Sequence, residues 1–345
     1  MGTDELFMQR ALELASLGRG QASPNPLVGC VIAHSGKIIG EGYHARYGHH
    51  HAEVEAINSV KKPELLPQST VYVNLEPCAH FGKTPPCADL LVKHRVKNVV
   101  ICNTDPNPLV AGKGIARLQA AGISVKTKLL EKQGIWLNRR FFTFLQRKRP
   151  YIILKWAETA DGFMARTSMD SKWISNAMSR RLVHAWRTQE DAIMVGAATA
   201  HYDNPLLNVR DWQGRDPVRV ISDPELSLNR QLQIFNGKQS TICYNAREGS
   251  TSHHTTFVKL QTGYGYKEVF EDLYKRKIQS IIVEGGPKTL NMLVNQGLWD
   301  EARIFKSPVC FLEGIAAPAH PGKLQSVNRV ADNHFFIYTR HQPED

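Results

Sequence analysis

The chain has 345 residues, enough for two domains of ordinary size. Hydrophobic residues make up 42% of it, charged residues 22%, and the mean hydropathy is −0.33, which excludes a largely disordered or membrane-spanning protein. No segment approaches the roughly 18 consecutive apolar residues of a transmembrane helix. The acidic start of the chain lacks the pattern of a secretion signal. We therefore expect a cytoplasmic protein that does not bind membranes.

The positive charge is concentrated in the first half of the chain. The net charge is +11, and residues 1–150 hold 20 basic and 11 acidic groups, or +9, which leaves +2 for the remainder. A positive field of this kind suits either nucleic acid or a small phosphorylated substrate, and composition does not separate the two. Six cysteines without a secretion signal favour metal binding or simple burial over disulfides.

Helical and strand patterns alternate along residues 1–147. Apolar residues at helical spacing predict a helix over 4–17, which Gly18 and Gly20 end. The next predicted elements are strands at 28–33 and 37–42, a helix from 52, a strand at 71–75, a helix from 86, a strand at 98–102, a helix at 114–121, a strand at 123–127 and one long helix at 130–146. This alternation predicts an α/β layered domain.

A second series of elements begins near residue 148. Predicted strands lie at 151–157, 191–195, 218–222, 241–244, 281–283 and 302–305, with helices at 177–187, 266–277 and 289–296 between them. No internal repeat is visible. We therefore predict a second α/β domain over residues 148–345.

Three residues of the first half have the spacing of a metal site. His51-Ala-Glu53 is followed by Pro77-Cys78 and then by Cys87. One imidazole and two thiolates fill three corners of a tetrahedral zinc ion and leave the fourth for water, as in catalytic sites. Zinc lowers the pKa of that water, and Glu53 is placed to move its proton. H-x-E with P-C-x-x-C is the signature of zinc-dependent nucleobase deaminases.

The spacing between the two cysteines departs from that signature, because eight residues separate them in place of two. This departure indicates a more specific family of deaminases. The segment reads Cys-Ala-His-Phe-Gly-Lys-Thr-Pro-Pro-Cys over 78–87, and the pieces PNPLVGC, EGYH and DPNPLVAGKG occur around it. With these pieces the first half resembles the bifunctional deaminase/reductase family of riboflavin biosynthesis. The resemblance implies a cytidine-deaminase-like α/β/α domain over 1–147, with Zn²⁺ on His51, Cys78 and Cys87 and with Glu53 as the catalytic residue.

The same resemblance implies a set of residues that bind the pyrimidine and its phosphate. They are Asn25, His44, His80, Lys83, Asp105 and Asn107. Ordinary turn formation beside proline is an equal alternative for Asp105 and Asn107, and Lys83 has the alternative of a plain surface lysine. A closed structural zinc site is a further alternative, although it has no use for Glu53. His49 and His50 are expected in solvent.

The second half has no GxGxxG motif, so a Rossmann dinucleotide site is not indicated. Instead, the strand ending at Glu284 enters Gly285-Gly286 and then a helix, which suits an anion, although a plain turn is the simpler explanation. With LKWAETADG (154–162), SKWIS (171–175) and DNPLLNVR (203–210), this half resembles the reductase domain of the same family. That resemblance implies a dihydrofolate-reductase-like fold that uses NADPH.

Carried over position by position, the resemblance implies two groups of contacts in the second half. The expected NADPH contacts are Ala157, Trp173, Thr199, Asp203 and Gly286, and the expected substrate contacts are Ser171, Arg187, Leu207, Arg210 and Glu284. The arginines suit a phosphate, although exposed charges on a helix or loop are the alternative. The sequence departs from the family pattern at the residues before Asp161, at Asn208 and after Ser307.

The resemblance therefore implies a bifunctional enzyme of riboflavin synthesis. It implies a zinc-dependent deaminase that acts on a phosphorylated diaminopyrimidine riboside, and an NADPH-dependent reductase that converts the ribosyl group of the product to ribityl. We expect a homo-oligomer that binds no nucleic acid. The alternatives are a nucleic-acid base deaminase, a zinc-binding scaffold without activity, and a deaminase with an inactive reductase domain.

Overall fold

The computed structural model describes residues 2–79, 85–108, 110–168, 174–319 and 322–340. Packing divides the chain into two compact units, Met1–Arg147 and Lys148–Asp345. Each unit is an α/β structure with its own sheet. Within the described ranges, no helix has the length and apolar character needed to cross a membrane.

The first unit contains six α-helices and five strands among its described residues. The helices are α1 (Thr3–Ser16), α2 (Ala52–Asn58), α3 (Cys87–Lys93), α4 (Lys113–Ala120), α5 (Glu131–Leu137) and α6 (Arg139–Arg147), and the strands are β1 (Gly29–His34), β2 (Lys37–Tyr43), β3 (Thr70–Leu75), β4 (Asn98–Asn103) and β5 (Ser124–Lys126). The sheet order is β2-β1-β3-β4-β5. β1 is antiparallel to β2 and β3, and β3, β4 and β5 are parallel.

Alternating side chains of this sheet enter two separate cores. In β1, Cys30 and Ile32 pack on the side of α2, α3 and α4, whereas Val31 and Ala33 pack on the side of α1. This follows from the two-residue period of a strand, which places neighbouring side chains on opposite faces. The unit is thus a three-layer α/β/α sandwich, and the predicted fold class is confirmed.

The sequence predicts one long helix over 130–146, and this prediction is wrong. The structure has two helices there, α5 and α6, which meet at Asn138. The backbone of Asn138 has φ −96° and ψ 20°, outside regular helix geometry. Its buried carboxamide accepts from the N–H of Leu27 (2.8 Å) and donates to the carbonyl of the same residue (2.8 Å). These bonds join residues 111 positions apart, and the helical pattern around Asn138 carries no sign of them.

The second unit contains four α-helices and twelve strands among its described residues. The helices are α7 (Ala177–Gln189), α8 (Ala197–Asp203), α9 (Tyr266–Lys275) and α10 (Pro287–Asn295). The strands are β6 (Tyr151–Glu158), β7 (Phe163–Ala165), β8 (Ala192–Gly196), β9 (Val218–Ser222), β10 (Thr241–Asn245), β11 (Ser250–Ser252), β12 (Thr255–Lys259), β13 (Ser280–Val283), β14 (Glu301–Lys306), β15 (Ile315–Ala316), β16 (Lys323–Val330) and β17 (Asn333–Thr339).

Ten of these strands form one sheet in the order β11-β12-β10-β9-β8-β13-β6-β14-β17-β16. The seven strands from β12 to β14 in this order are parallel to one another. β11 is antiparallel to β12, and β17 is antiparallel to both β14 and β16. Apolar cores fill both faces, with α9 and α10 over one and α7 over the other. The predicted mixed α/β class of the second half is confirmed.

The final hairpin of this sheet, β16 with β17, is absent from the sequence prediction. Its outer strand β16 is mostly exposed and polar. An edge strand with no buried face lacks the apolar alternation by which strands are recognised. The pairing partner, and not the local pattern, makes this segment a strand.

Candidate active sites

Three ligand atoms of the first unit meet at one point. Nδ1 of His51 and the Sγ atoms of Cys78 and Cys87 all lie within 4.8 Å of one another. Nδ1 of His51 is 3.2 Å from Sγ of Cys87 and 3.7 Å from Sγ of Cys78. One imidazole and two thiolates are donors that zinc prefers, and three protein ligands leave a fourth position open. The donor set therefore fits a catalytic zinc ion.

Local structure brings these three side chains together. His51 precedes α2, Cys87 begins α3, and Cys78 follows β3 by three residues. The N–H of Cys87 donates to Sγ of Cys78 (3.3 Å), and the N–H of Ala88 donates to the carbonyl of Cys78 (3.1 Å). A hydrogen bond from the Cys87 thiol, together with the imidazole of His51, lowers the pKa of Cys78 to about 4. A thiolate, the form that binds metal, is thus favoured.

Glu53 is a buried carboxyl group in the first turn of α2, beside this cluster. The residue is 3% exposed. Burial, followed by the charge of Cys78, raises the pKa of Glu53 to about 7. A carboxyl group whose pKa is close to neutral both takes and returns protons, which is the property of a general acid and base.

Two further predicted residues lie next to the cluster. Nδ2 of Asn25 is 3.1 Å from Nε2 of His44, and Nδ1 of His44 is 2.9 Å from the carbonyl oxygen of His50. The ring of His44 meets that of His51 edge to face at 5.6 Å. Burial lowers the pKa of His44, which favours a neutral ring that donates through Nδ1 and accepts from Asn25. His49 and the side chain of His50 are exposed, as expected.

The other predicted pyrimidine contacts are less closely tied to the cluster. The carboxylate of Asp105 accepts the N–H of Asn107 at 2.8 Å, which is the hydrogen bond of an Asx turn. The turn alternative and a binding role both stay open for these two residues. His80 and Lys83 lie outside the described residues, so their roles stay predictions.

The sequence prediction missed Glu76, whose carboxylate organises the neighbouring loop. Its oxygens accept the backbone N–H groups of Asp105 (3.2 Å), Gly112 (3.0 Å), Gly114 (2.9 Å) and Ile115 (3.3 Å). The residue is 4% exposed, and it stands directly before the Pro-Cys pair. A buried carboxylate is stable when several N–H groups donate to it. A glutamate at the end of a buried strand was the only signal in the sequence.

The second unit contains a cavity of about 700 Å³. A volume of this size is typical of sites for cofactors and small ligands. The cavity lining includes seven of the residues predicted for this half, namely Ala157, Arg187, Thr199, Asp203, Arg210, Glu284 and Gly286. The fold therefore brings to one place residues that are up to 129 positions apart.

A buried ion pair lies in this cavity. Nε and Nη2 of Arg187 donate to the two carboxylate oxygens of Glu284, each at 2.9 Å. Nζ of Lys155 is 3.7 Å from the same carboxylate. Burial alone would raise the pKa of Glu284, but the charges of Arg187 and Lys155 outweigh it and hold the pKa at about 2. Burial lowers the pKa of Lys155. The sequence prediction missed Lys155, whose signal was a single lysine in an otherwise apolar strand.

The Gly285-Gly286 turn forms one wall of the cavity and leads into α10. The N–H of Gly286 donates to Oγ1 of Thr199 at 2.9 Å. A Cβ atom at Gly286 would lie 3.1 Å from that oxygen, and one at Gly285 would lie 2.9 Å from Cβ of Thr289. Glycine thus keeps the backbone open at the start of α10, where the positive end of the helix dipole favours a phosphate. Asp203 lines the same cavity, and its carboxyl group can accept a hydrogen bond from a ribose hydroxyl group, so this wall fits a phosphorylated dinucleotide.

The remaining predicted residues of this half have different positions. The side chain of Leu207 is buried in the core under α7, and its backbone has φ +53°. Arg210 is half-exposed. Ser171 and Trp173 lie outside the described residues. The contacts expected of all four stay predictions.

The segment after Ser307, where the sequence departs from the family pattern, lies against the turn that contains Asp161. The carboxylate of Asp161 accepts the N–H groups of Phe311 (3.0 Å) and Leu312 (2.7 Å). The segment after Ser307 is therefore attached to the turn between β6 and β7. Phe311 and Ile315 line the cavity, so this segment forms part of its wall.

Comparison with known proteins gives matches over both units. Residues 1–103 match the family model described as the cytidine and deoxycytidylate deaminase zinc-binding region. Residues 150–332 match the model described as the RibD C-terminal domain. The riboflavin biosynthesis protein RibD of Actinobacillus pleuropneumoniae is 48% identical over 320 residues, which cover 89% of this chain and 84% of that protein. RibD of Aquifex aeolicus is 39% identical over 319 residues, which cover 91% of this chain and 89% of that protein.

Solved structures agree over nearly the whole length. RibD of Acinetobacter baumannii superposes with a TM-score of 0.89 at 33% identity, covering 99% of both chains. A structure from Thermotoga maritima superposes with a TM-score of 0.89 at 35% identity, covering 97% of this chain and 98% of that one. That protein is described as a diaminohydroxyphosphoribosylaminopyrimidine deaminase and 5-amino-6-(5-phosphoribosylamino)uracil reductase.

The fold, the two sites and these matches define a bifunctional enzyme, with a zinc-dependent deaminase in the first unit and an NADPH-dependent reductase in the second. The chain belongs to the RibD family of riboflavin biosynthesis proteins. Because the second unit matches the RibD C-terminal domain, the comparison favours this function over a nucleic-acid base deaminase or a scaffold.

Proposed function

We propose that the first unit hydrolyses the 2-amino group of 2,5-diamino-6-ribosylamino-4(3H)-pyrimidinone 5′-phosphate and that the second unit reduces the ribosyl group of the product to ribityl. The description of the Thermotoga maritima relative supports these substrates. The meeting of His51, Cys78 and Cys87 beside buried Glu53 carries the proposal for the first step.

In the deaminase, His51, Cys78 and Cys87 would hold the zinc ion. When bound, zinc lowers the pKa of a coordinated water molecule toward neutrality. Glu53 takes up the proton released from water and transfers it to the amino nitrogen that leaves as ammonia. The carbon–nitrogen bond breaks as the carbon–oxygen bond forms, so the product is the corresponding uracil. Burial of Glu53 keeps bulk water from competing for that proton.

The residues around the deaminase cluster would bind the pyrimidine. Asn25 and His44 hold one another through Nδ2 and Nε2, so the amide oxygen of Asn25 can accept from an amino group of the ring. His80, Lys83, Asp105 and Asn107 complete the set inferred from the family. The excess positive charge of residues 1–150 favours a phosphorylated substrate.

In the reductase, the cavity residues would hold NADPH beside the sugar. When bound, NADPH would supply a hydride to C1′ of the ribosyl group. The bond between C1′ and the ring oxygen breaks as this carbon–hydrogen bond forms, and the ring oxygen takes up one proton. Lys155 lines the cavity and can donate this proton, because burial lowers the pKa of its ammonium group. Thr199 and Gly286 form the cofactor wall, while Arg187 and Arg210 provide positive charge for the substrate phosphate.

One assay tests both steps. The zinc-loaded chain is given the diaminopyrimidine ribosyl phosphate with NADPH, and ammonia and the NADPH absorbance are followed together. Release of ammonia followed by loss of NADPH is expected. Ammonia without NADPH oxidation would reject the reductase, and neither signal with stoichiometric zinc would reject the substrate. Binding of single-stranded DNA or RNA that weakens steeply with salt would support a nucleic-acid deaminase instead.

Three further properties belong to the same proposal. The domain boundary lies between residues 147 and 148, the enzyme is a homo-oligomer, and it acts in the cytoplasm. Light scattering of the purified chain measures the oligomeric state, and a monomer at assay concentrations would contradict that part.

A further inference from the structure

Two buried asparagine side chains hold residues 27–29, the short segment that leads into β1. Asn74 projects from β3, and Asn138 lies between α5 and α6; the two residues are 0% and 2% exposed. The carboxamide of Asn138 accepts from the N–H of Leu27 (2.8 Å) and donates to its carbonyl oxygen (2.8 Å). Nδ2 of Asn74 donates to the same carbonyl oxygen (2.9 Å), and its Oδ1 accepts from the N–H of Gly29 (2.7 Å). We call these two side chains the asparagine clamp.

The asparagine clamp is built on the sheet of the first unit. Asn74 lies on the central strand of the order β2-β1-β3-β4-β5. Helix α5, which leads to Asn138, lies so close to β4 that Gly134 has no room for a Cβ atom, and Nδ2 of Asn103 donates to the carbonyl of Glu131 at its start (3.0 Å). Each carboxamide of the clamp uses a donor and an acceptor at once, so a flipped amide would lose both bonds. The clamp therefore has one orientation.

The clamped segment is connected to two of the residues predicted to bind the pyrimidine. Asn25 precedes Leu27 by two positions, and the ring of Pro26 between them fixes one backbone angle, which leaves fewer rotating bonds in the connection. On the other side, the carbonyl of Val28 accepts the N–H of His44 (2.8 Å). Nδ2 of Asn25 is 3.1 Å from Nε2 of His44. The two side chains thus meet beside one segment to which both are attached.

We propose that Asn138 and Asn74 are positioning residues for the deaminase. Through residues 27–29 they hold Asn25 against His44, where the amide oxygen of Asn25 can accept from the pyrimidine. This inference rests on the proposed deaminase function. A binding group that is already in place loses little conformational freedom when the substrate binds. Loss of the clamp should therefore weaken binding of the pyrimidine, whereas the zinc ligands lie outside the segment and should keep the metal.

Substitution of Asn138 by leucine removes the carboxamide and keeps a side chain of similar volume. The whole zinc-loaded chain is assayed for ammonia release from the diaminopyrimidine ribosyl phosphate. For Asn138→Leu we expect KM to rise about 5-fold, which corresponds to roughly one hydrogen bond to the substrate. We expect kcat to change less than about 2-fold, because binding that is equal in the ground and transition states affects KM alone. Zinc content and NADPH oxidation of the deaminated substrate should stay at wild-type levels.

A double variant separates positioning from a general loss of stability. Asn25→Ala removes the group that the clamp positions and should itself raise KM. Adding Asn138→Leu to Asn25→Ala should then raise KM by less than about 2-fold, as expected of residues that act through one contact. A merely structural role would instead multiply the two effects. Asn58→Leu makes the same change at an exposed asparagine that ends α2, and its KM should equal that of the wild type.

Asn74→Val tests the other half of the clamp with a residue that favours a strand. It removes one of the two donors to the carbonyl of Leu27, so KM should again rise, and again by less than about 2-fold once Asn25 is alanine. Multiplied effects in both double variants, or an unchanged KM in both single variants, would overturn the inference and leave the deaminase function intact. Loss of zinc from both single variants would overturn it as well, because the clamp would then support the whole unit. If the wild type releases no ammonia from this compound, the proposed function itself fails.

Discussion

The guanidinium group of Arg187 and the carboxylate of Glu284 form a bidentate pair inside the reductase cavity, 97 residues apart in sequence. The two side chains are about nine-tenths buried. Breaking such a pair by removing one partner is costly, because it leaves the other charge buried and uncompensated. The pair therefore contributes to the stability of the second unit as well as to the charge of the site.

The Arg187–Glu284 pair predicts how stability depends on pH. The pKa of Glu284 is about 2 in the folded chain, whereas the ordinary value of 4.5 applies in the unfolded chain, so the unfolded state binds the proton more readily. The stabilisation is fully present above pH 4.5 and is lost as the pH falls toward 2. The difference is about 3 kcal/mol at most. Urea denaturation of wild type and Glu284→Gln should show the largest difference in unfolding free energy above pH 5 and a shrinking one below it. Parallel pH profiles for the two proteins would contradict this.

Substitution of Glu53 tests its proposed catalytic role. Glu53→Gln keeps the shape of the side chain but cannot carry the proton, so the deamination rate should fall about 1,000-fold. Zinc content and NADPH oxidation of the deaminated substrate should stay at wild-type levels. Glu55→Gln is the matched control on the same helix, because Glu55 is exposed and pairs with His50. Full activity of Glu53→Gln would remove Glu53 from the mechanism.

Removal of the metal should separate the two activities. A chelator should abolish ammonia release and leave NADPH oxidation of the deaminated substrate unchanged, and added Zn²⁺ should restore the first activity. Cys78→Ala and Cys87→Ala should each lose stoichiometric zinc, whereas Cys310→Ala, at an exposed cysteine outside the cluster, should keep it. Persistent deamination in a metal-free chain would refute the zinc assignment.

Substitution of Glu76 tests whether its carboxylate holds the loop of residues 105–115 in place. Glu76→Gln replaces one acceptor oxygen with an NH₂ group that faces N–H donors, so the bonds to two of four amides are lost, at about 1–3 kcal/mol of stability. Hydrogen exchange should become faster at the pair of amides that loses its acceptor, either Asp105 with Gly112 or Gly114 with Ile115, and kcat/KM for deamination should fall. Glu64→Gln changes an exposed glutamate and serves as control. Unchanged exchange at these amides would show that the loop does not depend on Glu76.

Sequence reasoning went furthest where the signal was local. The three residues that we propose as zinc ligands lie in two short motifs. Each stands at or just before the start of a helix or after a strand, so their spacing in sequence predicts their meeting in space. Alternating and helical periods likewise predicted the main elements of both units, because the side that each element buries determines its pattern. The resemblance to a family added the residues of the reductase cavity, which no local motif defines.

The sequence by itself determined the two α/β units and the His-Cys-Cys donor set, since short-range spacing and periodicity suffice for these, and the resemblance to a family added the type of chemistry. Only the tertiary structure decided that Lys155 faces Glu284, that Glu76 gathers the amides of a distant loop, and that a helix ends at Asn138. Each of these contacts joins residues that are 27 or more positions apart. Such contacts depend on the order of strands in the sheet and on the packing of loops over it, which the pattern of a single segment does not contain.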